Sequence, residues 1–196
     1  MRCTECGMLT EACLCGTFTP LQLKTRVHIV LHAAEVRKSS NTGRIARLLL
    51  SNSTIHLHGH VDHREPTILS LSDAHEPVVL FPDGSEVLAA IPRPVELIVL
   101  DATWSQALKM GRRIEGLKQI KRKRLPALSP LFILRKAGSG RLSTMESIIQ
   151  ALSILEGEDV GRELMQHWSP FAKALLAERG KIPGRSDYSE RDLTGD

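Results

Sequence analysis

The sequence predicts an α/β fold, a mostly parallel sheet covered by helices on both faces and preceded by a small cysteine knuckle. Three features carry that prediction. Short runs rich in Val, Ile and Leu alternate with longer helical patterns, as in chains that build a parallel sheet from strand–helix units. Two helical patterns open on capping boxes, Thr103-x-x-Gln106 and Ser143-x-x-Glu146, each after a predicted strand. All four cysteines fall within the first 15 residues. With 196 residues, 42% hydrophobic and 24% charged, the chain suffices for one domain with a sizeable core. Aromatic residues make up only 4%, so Leu, Ile, Val and Ala must fill it.

Residues 1–20 hold Cys3, Cys6, Cys13 and Cys15 in a C-x2-C-x6-C-x-C pattern. Four thiolates with two short spacings suit a tetrahedral zinc ion. Gly7 and Gly16 each follow a member of a pair and permit turns that aim backbone amides at sulfur. Four protein ligands leave no open position, so the expected zinc is structural. Disulfides are the competing account, but they belong to oxidising compartments, and the first residues lack the apolar stretch of a secretory signal. No apolar run approaches the roughly 20 residues of a membrane span. A cytoplasmic protein is expected.

Residues 21–180 are read as one α/β domain. Strands are predicted at 26–31, 54–57, 78–81, 97–100 and 131–134, and helices at 42–51, 85–90, 103–117, 143–156 and 160–180. The tail, 181–196, has little apolar content and is expected to be disordered. Neither a G-x-G-x-x-G nor a Walker loop occurs, which argues against an ordinary dinucleotide or nucleoside triphosphate site.

Charge is uneven. The net charge is +4 with a pI near 9.0, yet between Lys109 and Arg124 eight basic residues face Glu115 alone. A polyanionic partner explains that density; a solvated helix face followed by a basic loop is the plainer account. A second cluster, His58-Gly59-His60-Val61-Asp62-His63, copies an H-x-H-x-D-H metallohydrolase pattern. The further ligands that such a site needs do not follow, and residues 54–58 alternate like a half-buried strand with His56 and His58 on one face.

Asp101 is the leading candidate for chemistry. It ends the apolar run Val95–Leu100 and precedes a helix start, where open α/β sheets bind ligands. Its plain alternative is capping of that helix. Thr103, Ser143 and Thr144 have the same alternative, although both starts place free amides and positive dipole ends on one rim of the sheet.

Six ordered stretches resemble the DTW-domain family: the cysteine knuckle, His32-Ala33-Ala34-Glu35 with Asn41-Thr42-Gly43-Arg44, Leu80-Phe81-Pro82, Asp101-Ala102-Thr103-Trp104, Arg135-Lys136, and Leu142-Ser143-Thr144-Met145-Glu146-Ser147. The last Ser stands where the family pattern has Ala. The match runs from residue 3 to about 150. The resemblance implies a tRNA-uridine aminocarboxypropyltransferase, which moves the 3-amino-3-carboxypropyl chain of S-adenosylmethionine to N3 of a tRNA uridine and releases methylthioadenosine. It also implies a SPOUT-like fold with a threaded loop, a knot, near the C-terminal part.

On that reading Asp101 takes the uracil proton or binds the donor's α-ammonium; the residues leave both open. Pro82, Gly84, Leu100, Asp101, Thr103, Trp104, Leu142, Ser143 and Thr144 would form the donor pocket, and Trp104 would stack on a base or adenine. Arg37, Lys38, Asn41, Arg44, Arg112, Arg113, Lys121, Arg122, Lys123, Arg124 and Lys136 would hold tRNA. No protein partner is implied. The rival readings are a knotted S-adenosylmethionine-dependent RNA methyltransferase and a non-catalytic, zinc-containing RNA-binding module.

Overall fold

The computed structural model describes residues 1–36, 38, 41–59, 66–126 and 142–178. The elements are β1 (Arg26–His32), α1 (Gly43–Leu49), β2 (Ser53–His58), β3 (Glu76–Leu80), β4 (Glu86–Val87), β5 (Val95–Asp101), α2 (Trp104–Arg113), β6 (Arg122–Arg124), α3 (Thr144–Glu156) and α4 (Glu158–Glu178). The strands form one sheet in the order β2-β1-β5-β3-β6-β4. Every pairing is parallel.

The period-2 alternation of the strands divides the core. Val27, Ile29, Val78, Leu97 and Val99 pack on one face against α1, α3 and α4, with Trp168 and Phe171 fully buried among them. Val30, Val79 and Ile98 point the other way and meet Ala107 and Met110 of α2, with Ile114 and Leu117 beyond it. Helices therefore cover both faces, as the alternating pattern predicts for a parallel sheet.

Two predicted elements need correction. Residues 85–90 were expected to be helical, but Glu86–Val87 form β4. Six residues cannot sustain an isolated helix, and here their backbone pairs with β6: Glu86 opposite Lys123, Val87 opposite Arg124, and the Leu88 amide on the Arg124 carbonyl at 2.7 Å. A Cβ on Gly84 would lie 2.5 Å from the Arg124 nitrogen, so glycine is what lets β6 pass. The expected helix at 103–117 ends at Arg113. Ile114 turns extended, and its burial with Leu117 imitates helical spacing from within a turn. The expected basic loop after it contains β6, whose backbone pairs with β3 and β4 while Glu86 and Asp83 offset its cations.

Strand 131–134, the segment 179–196 that holds the expected disordered tail, and residues 127–141 before α3 lie outside the described residues; no C-terminal knot is established. No helix among the described residues is long and apolar enough to cross a membrane. The knuckle joins the main core. Cys6 and Met8 are buried in it, and Glu178 at the end of α4 accepts from the Leu9 amide at 2.9 Å and pairs with Arg2 at 2.9 Å.

Candidate active site

Neighbouring strands β1 and β5 send their following helices to opposite faces, α1 to one and α2 to the other. That divergence opens a crevice at the carboxyl ends of the strands, the place where doubly wound sheets bind ligands. The N-terminus of α3 reaches the same rim. Asp101, the last residue of β5, stands opposite Leu31 of β1 and faces the α1 and α3 side.

Asp101 is 8% exposed. Its Oδ1 accepts from the Thr144 hydroxyl at 2.8 Å, and its Oδ2 has no hydrogen-bond partner among the described residues. A Cβ on Gly43 would sit 2.5 Å from Oδ2, so the carboxylate rests over a backbone that only glycine leaves open. Burial pushes the carboxyl pKa above its usual range. The Thr144 bond opposes that shift, nearby Glu35 adds to it, and the Gly43 amide and Lys38 oppose it more weakly.

The surrounding helix starts are locked together. The Met145 amide donates to Thr42 Oγ1 at 3.1 Å, joining α3 to α1. Ser143 and Glu146 complete a capping box: the Ser143 amide and hydroxyl reach Glu146 Oε2 at 2.9 and 2.7 Å, and the Glu146 amide reaches Ser143 Oγ at 3.3 Å. At α2 the Thr103 amide and hydroxyl both donate to Gln106 Oε1, at 2.9 and 2.7 Å. Ser143 and Thr103 are thus spent on capping, while Thr144 is spent on Asp101.

On the other side of the crevice Trp104 is 53% exposed, which excludes a core role. Its ring stacks on the buried Phe81 with centroids 5.3 Å apart, and Arg122 covers Phe81 at 5.3 Å. Leu100 and Leu142 are half-buried at the rim. Pro82 is exposed in the turn after β3, whereas Gly84 is buried against β6.

The residues expected to hold RNA separate by environment. Lys38 pairs with Glu35 at 2.6 Å. Asn41 is buried and bonds the Glu35 carbonyl at 3.3 Å, and Arg44 runs beside Gly7 to the Val36 carbonyl. These last two organise the loop between β1 and α1. Lys121 and Lys123 pair with Glu86, and Arg122 with Asp83. Arg112, Arg113 and Arg124 are exposed. Arg37 and Lys136 lie outside the described residues, as do His60, Asp62 and His63. His56 and His58 do share a face: His56 stacks on His28, and His58 meets His32 edge-on.

The four cysteine sulfurs lie within 4.8 Å of one another, the one such His, Cys, Asp or Glu group among the described residues. Cys3 and Cys15 sulfurs are 3.8 Å apart, as are those of Cys6 and Cys13. A disulfide requires about 2.05 Å, while a tetrahedral zinc with bonds of about 2.3 Å separates its sulfurs by about 3.8 Å. The set fits zinc. Backbone amides, those of Cys6 and Glu5 first, lower Cys3 to about 6, and burial raises Cys6 and Cys15.

The sequence pattern of the DTW domain matches residues 1–176. The chain belongs to the DTW-domain family. Similar curated proteins are tRNA-uridine aminocarboxypropyltransferase 2 of Macaca fascicularis, 26% identical over 83% of this chain, and that of Drosophila melanogaster, 24% identical over 84%. The chain spans 59% of the macaque protein's length and 70% of the fly protein's. Among solved structures, the SAM-dependent rRNA:acp-transferase Tsr3 of Vulcanisaeta distributa aligns at a TM-score of 0.48 and 18% identity, over 87% of this chain and 89% of that one. Within this DTW domain, Glu35, Thr42 and Gly43 join Asp101 without having been assigned roles from sequence. They lie in the H-x-x-E and N-T-G-R blocks, and that motif membership was the signal available.

Proposed function

We propose that the chain transfers the 3-amino-3-carboxypropyl group of S-adenosylmethionine to N3 of a tRNA uridine, with release of methylthioadenosine. One observation carries the reading: a buried carboxylate at the sheet's carboxyl rim with one oxygen held by Thr144 and the other unpaired. DTW-family membership and the names of the curated relatives supply the reaction class. Acting on tRNA, the protein would work in the cytoplasm.

The chemistry asks for a base and for positioning. Uracil N3–H is a weak acid, so its proton must go to a nearby acceptor as nitrogen attacks. Asp101 Oδ2 takes that proton while the bond from N3 to the donor's Cγ forms. The C–S bond breaks, and its electron pair stays on sulfur, which leaves as a neutral thioether. Burial suits Asp101 to this work, because a carboxylate with a raised pKa is a stronger base. Thr144 fixes Oδ1, so Oδ2 keeps one direction. A sulfonium activates every carbon bound to it, so the choice of Cγ over methyl is a matter of placement; holding reactants in line lowers the barrier by about 7–11 kcal/mol in well-oriented reactions. Exposed Trp104 offers the flat face that a base or an adenine needs. The cysteine set would hold a structural zinc that ties residues 1–20 to α4.

The alternative role for Asp101, binding the donor's α-ammonium, separates cleanly by kinetics. A base lowers kcat when protonated; an ammonium partner raises KM for the donor instead. The reading is tested by incubating the protein with S-adenosylmethionine and tRNA from a strain lacking the modification, then measuring nucleoside masses and methylthioadenosine. An aminocarboxypropyl adduct on uridine is expected. A methyl adduct would assign the chain to the rival methyltransferase reaction, and no adduct with any tRNA would refute the proposed transfer.

A further inference from the structure

The basic run divides into two halves that do different work. Lys121, Arg122 and Lys123 meet Glu86 and Asp83 across the β4–β6 edge. Lys109, Arg112, Arg113 and Lys118, on α2 and the turn after it, are all exposed, and none makes an ion pair or side-chain hydrogen bond among the described residues. Residues 112–116 with Lys118 and Gln119 line an open concavity of about 370 Å³, to which Arg112, Arg113 and Lys118 contribute the positive charge. The helix's C-terminal dipole, about half a negative charge, favours Arg112 and Arg113 in the last turn but offsets only part of the positive charge gathered there.

The turn of α2 leading into the cup lies beside the end of β5: a Cβ on Gly111, next to Arg112, would sit 4.0 Å from Leu100 Cδ1. Burial, then the charges of His32 and Arg113, hold His58 at the end of β2 below its ordinary pKa. His32 and His58 are partners in the register of β1 and β2, at the carboxyl ends of those strands. At the opposite end of α2, roughly 14 Å away by helical rise, stands the exposed ring of Trp104.

We propose that the concavity formed by Arg112, Arg113 and Lys118 receives backbone phosphates of the acceptor RNA, while Lys121, Arg122 and Lys123 serve the fold. This rests on the reading that tRNA is the acceptor. Three cations line one cup with only Glu115 among them, and none of them forms an ion pair among the described residues. Phosphates would pair with them, releasing counterions as they bind.

The test measures binding of unfractionated tRNA by fluorescence anisotropy at several salt concentrations, and aminocarboxypropyl transfer separately. The triple variant Arg112→Gln, Arg113→Gln, Lys118→Gln should weaken RNA binding on the order of tenfold or more and flatten the log–log salt slope by about 2–3. In the transfer assay its loss should fall on KM for RNA. A second variant, Lys121→Gln with Lys123→Gln, should leave the salt slope within about one of wild type and lower thermal stability instead. Unchanged affinity and slope in the first variant would overturn the inference, as would an equal slope change in the second. If wild type binds RNA through α2 but transfers nothing, the transfer reading fails alone; if it transfers while the α2 variant binds normally, the cup fails alone.

Discussion

Strand β5 carries two buried carboxylates, one near each end and on opposite faces, and they are treated differently. Glu96 is 1% exposed and paired at both oxygens: the Ser72 amide reaches both at 3.2 and 3.1 Å, Arg26 adds a bond at 3.4 Å, and His28 Nε2 lies 3.8 Å away. Asp101 receives one hydroxyl and keeps Oδ2 unpaired. Burial of an unsatisfied acceptor costs about 1–3 kcal/mol, so a fold tolerates it only where surrounding contacts hold it in place. Here Thr42 to Met145 and Ser143 to Glu146 hold the surrounding helix starts. Degree of burial does not distinguish the carboxylate paired at both oxygens from the one proposed to act as base. The unpaired oxygen does.

The strongest way to break this contrast is Asp101→Asn. Loss of the base should lower transfer by a factor on the order of 10²–10⁴, measured as nucleoside product per time. The fold should survive, with a specific pH signature. The folded pKa of Asp101 lies above its unfolded value, so its contribution to stability is greatest below the unfolded pKa and is lost as pH rises through the folded one. The Asn variant should therefore melt at or above wild type near neutral pH, with the advantage closing toward pH 4. Undiminished transfer would remove Asp101 from the chemistry.

Gly43→Ala comes next. Its Cβ would press on Oδ2 from 2.5 Å, displacing the carboxylate by a fraction of an ångström or more, and misplacement of that order costs up to about 10²-fold in rate. Substrate binding should change less than kcat. Normal turnover would mean that the carboxylate's position is not critical. The counterpart at the carboxylate paired at both oxygens is Glu96→Gln, which weakens charge-assisted bonds without touching the rim. A loss of about 1–3 kcal/mol should appear as a lower melting temperature, with kcat retained where the variant is folded. A larger loss of kcat than of stability would show that Glu96 also serves the reaction.

What the sequence discloses follows from how local each feature is. Asp101, Thr103 and Ser143 sit at strand ends and helix starts, where short-range rules for caps and strand termini apply, and the cysteine pairs reveal themselves by spacing. The contact that defines the site does not: Thr42 and Met145 are 103 residues apart, and no periodicity announces that α1 and α3 meet over Asp101. Strand β6 was hidden for a different reason. Arg122-Lys123-Arg124 has the composition of a solvated loop, but its backbone pairs with β3 and β4 on either side while Glu86 and Asp83 offset its cations. Residues 85–90 were misread together with it, since β4 pairs only with β6.

The finest test compares the donors rather than the carboxylates. Glu96 is held by the backbone amide of Ser72, so Ser72→Ala removes neither bond and should change stability by less than about 0.5 kcal/mol. Asp101 is held by the side-chain hydroxyl of Thr144, so Thr144→Val removes that hydrogen bond and leaves only the weaker influence of the Gly43 amide on the carboxylate among the described residues. The Thr144 bond favours the charged carboxylate, and without it the pKa of Asp101 should rise further above the ordinary range. A base works only when unprotonated, so the acid limb of kcat should lie above the usual carboxylate range in wild type and move to still higher pH in Thr144→Val. Thr144→Ser, which keeps the hydroxyl, should restore it. A limb that stays fixed in Thr144→Val while kcat falls would make Thr144 a packing residue and leave the protonation of Asp101 out of the rate.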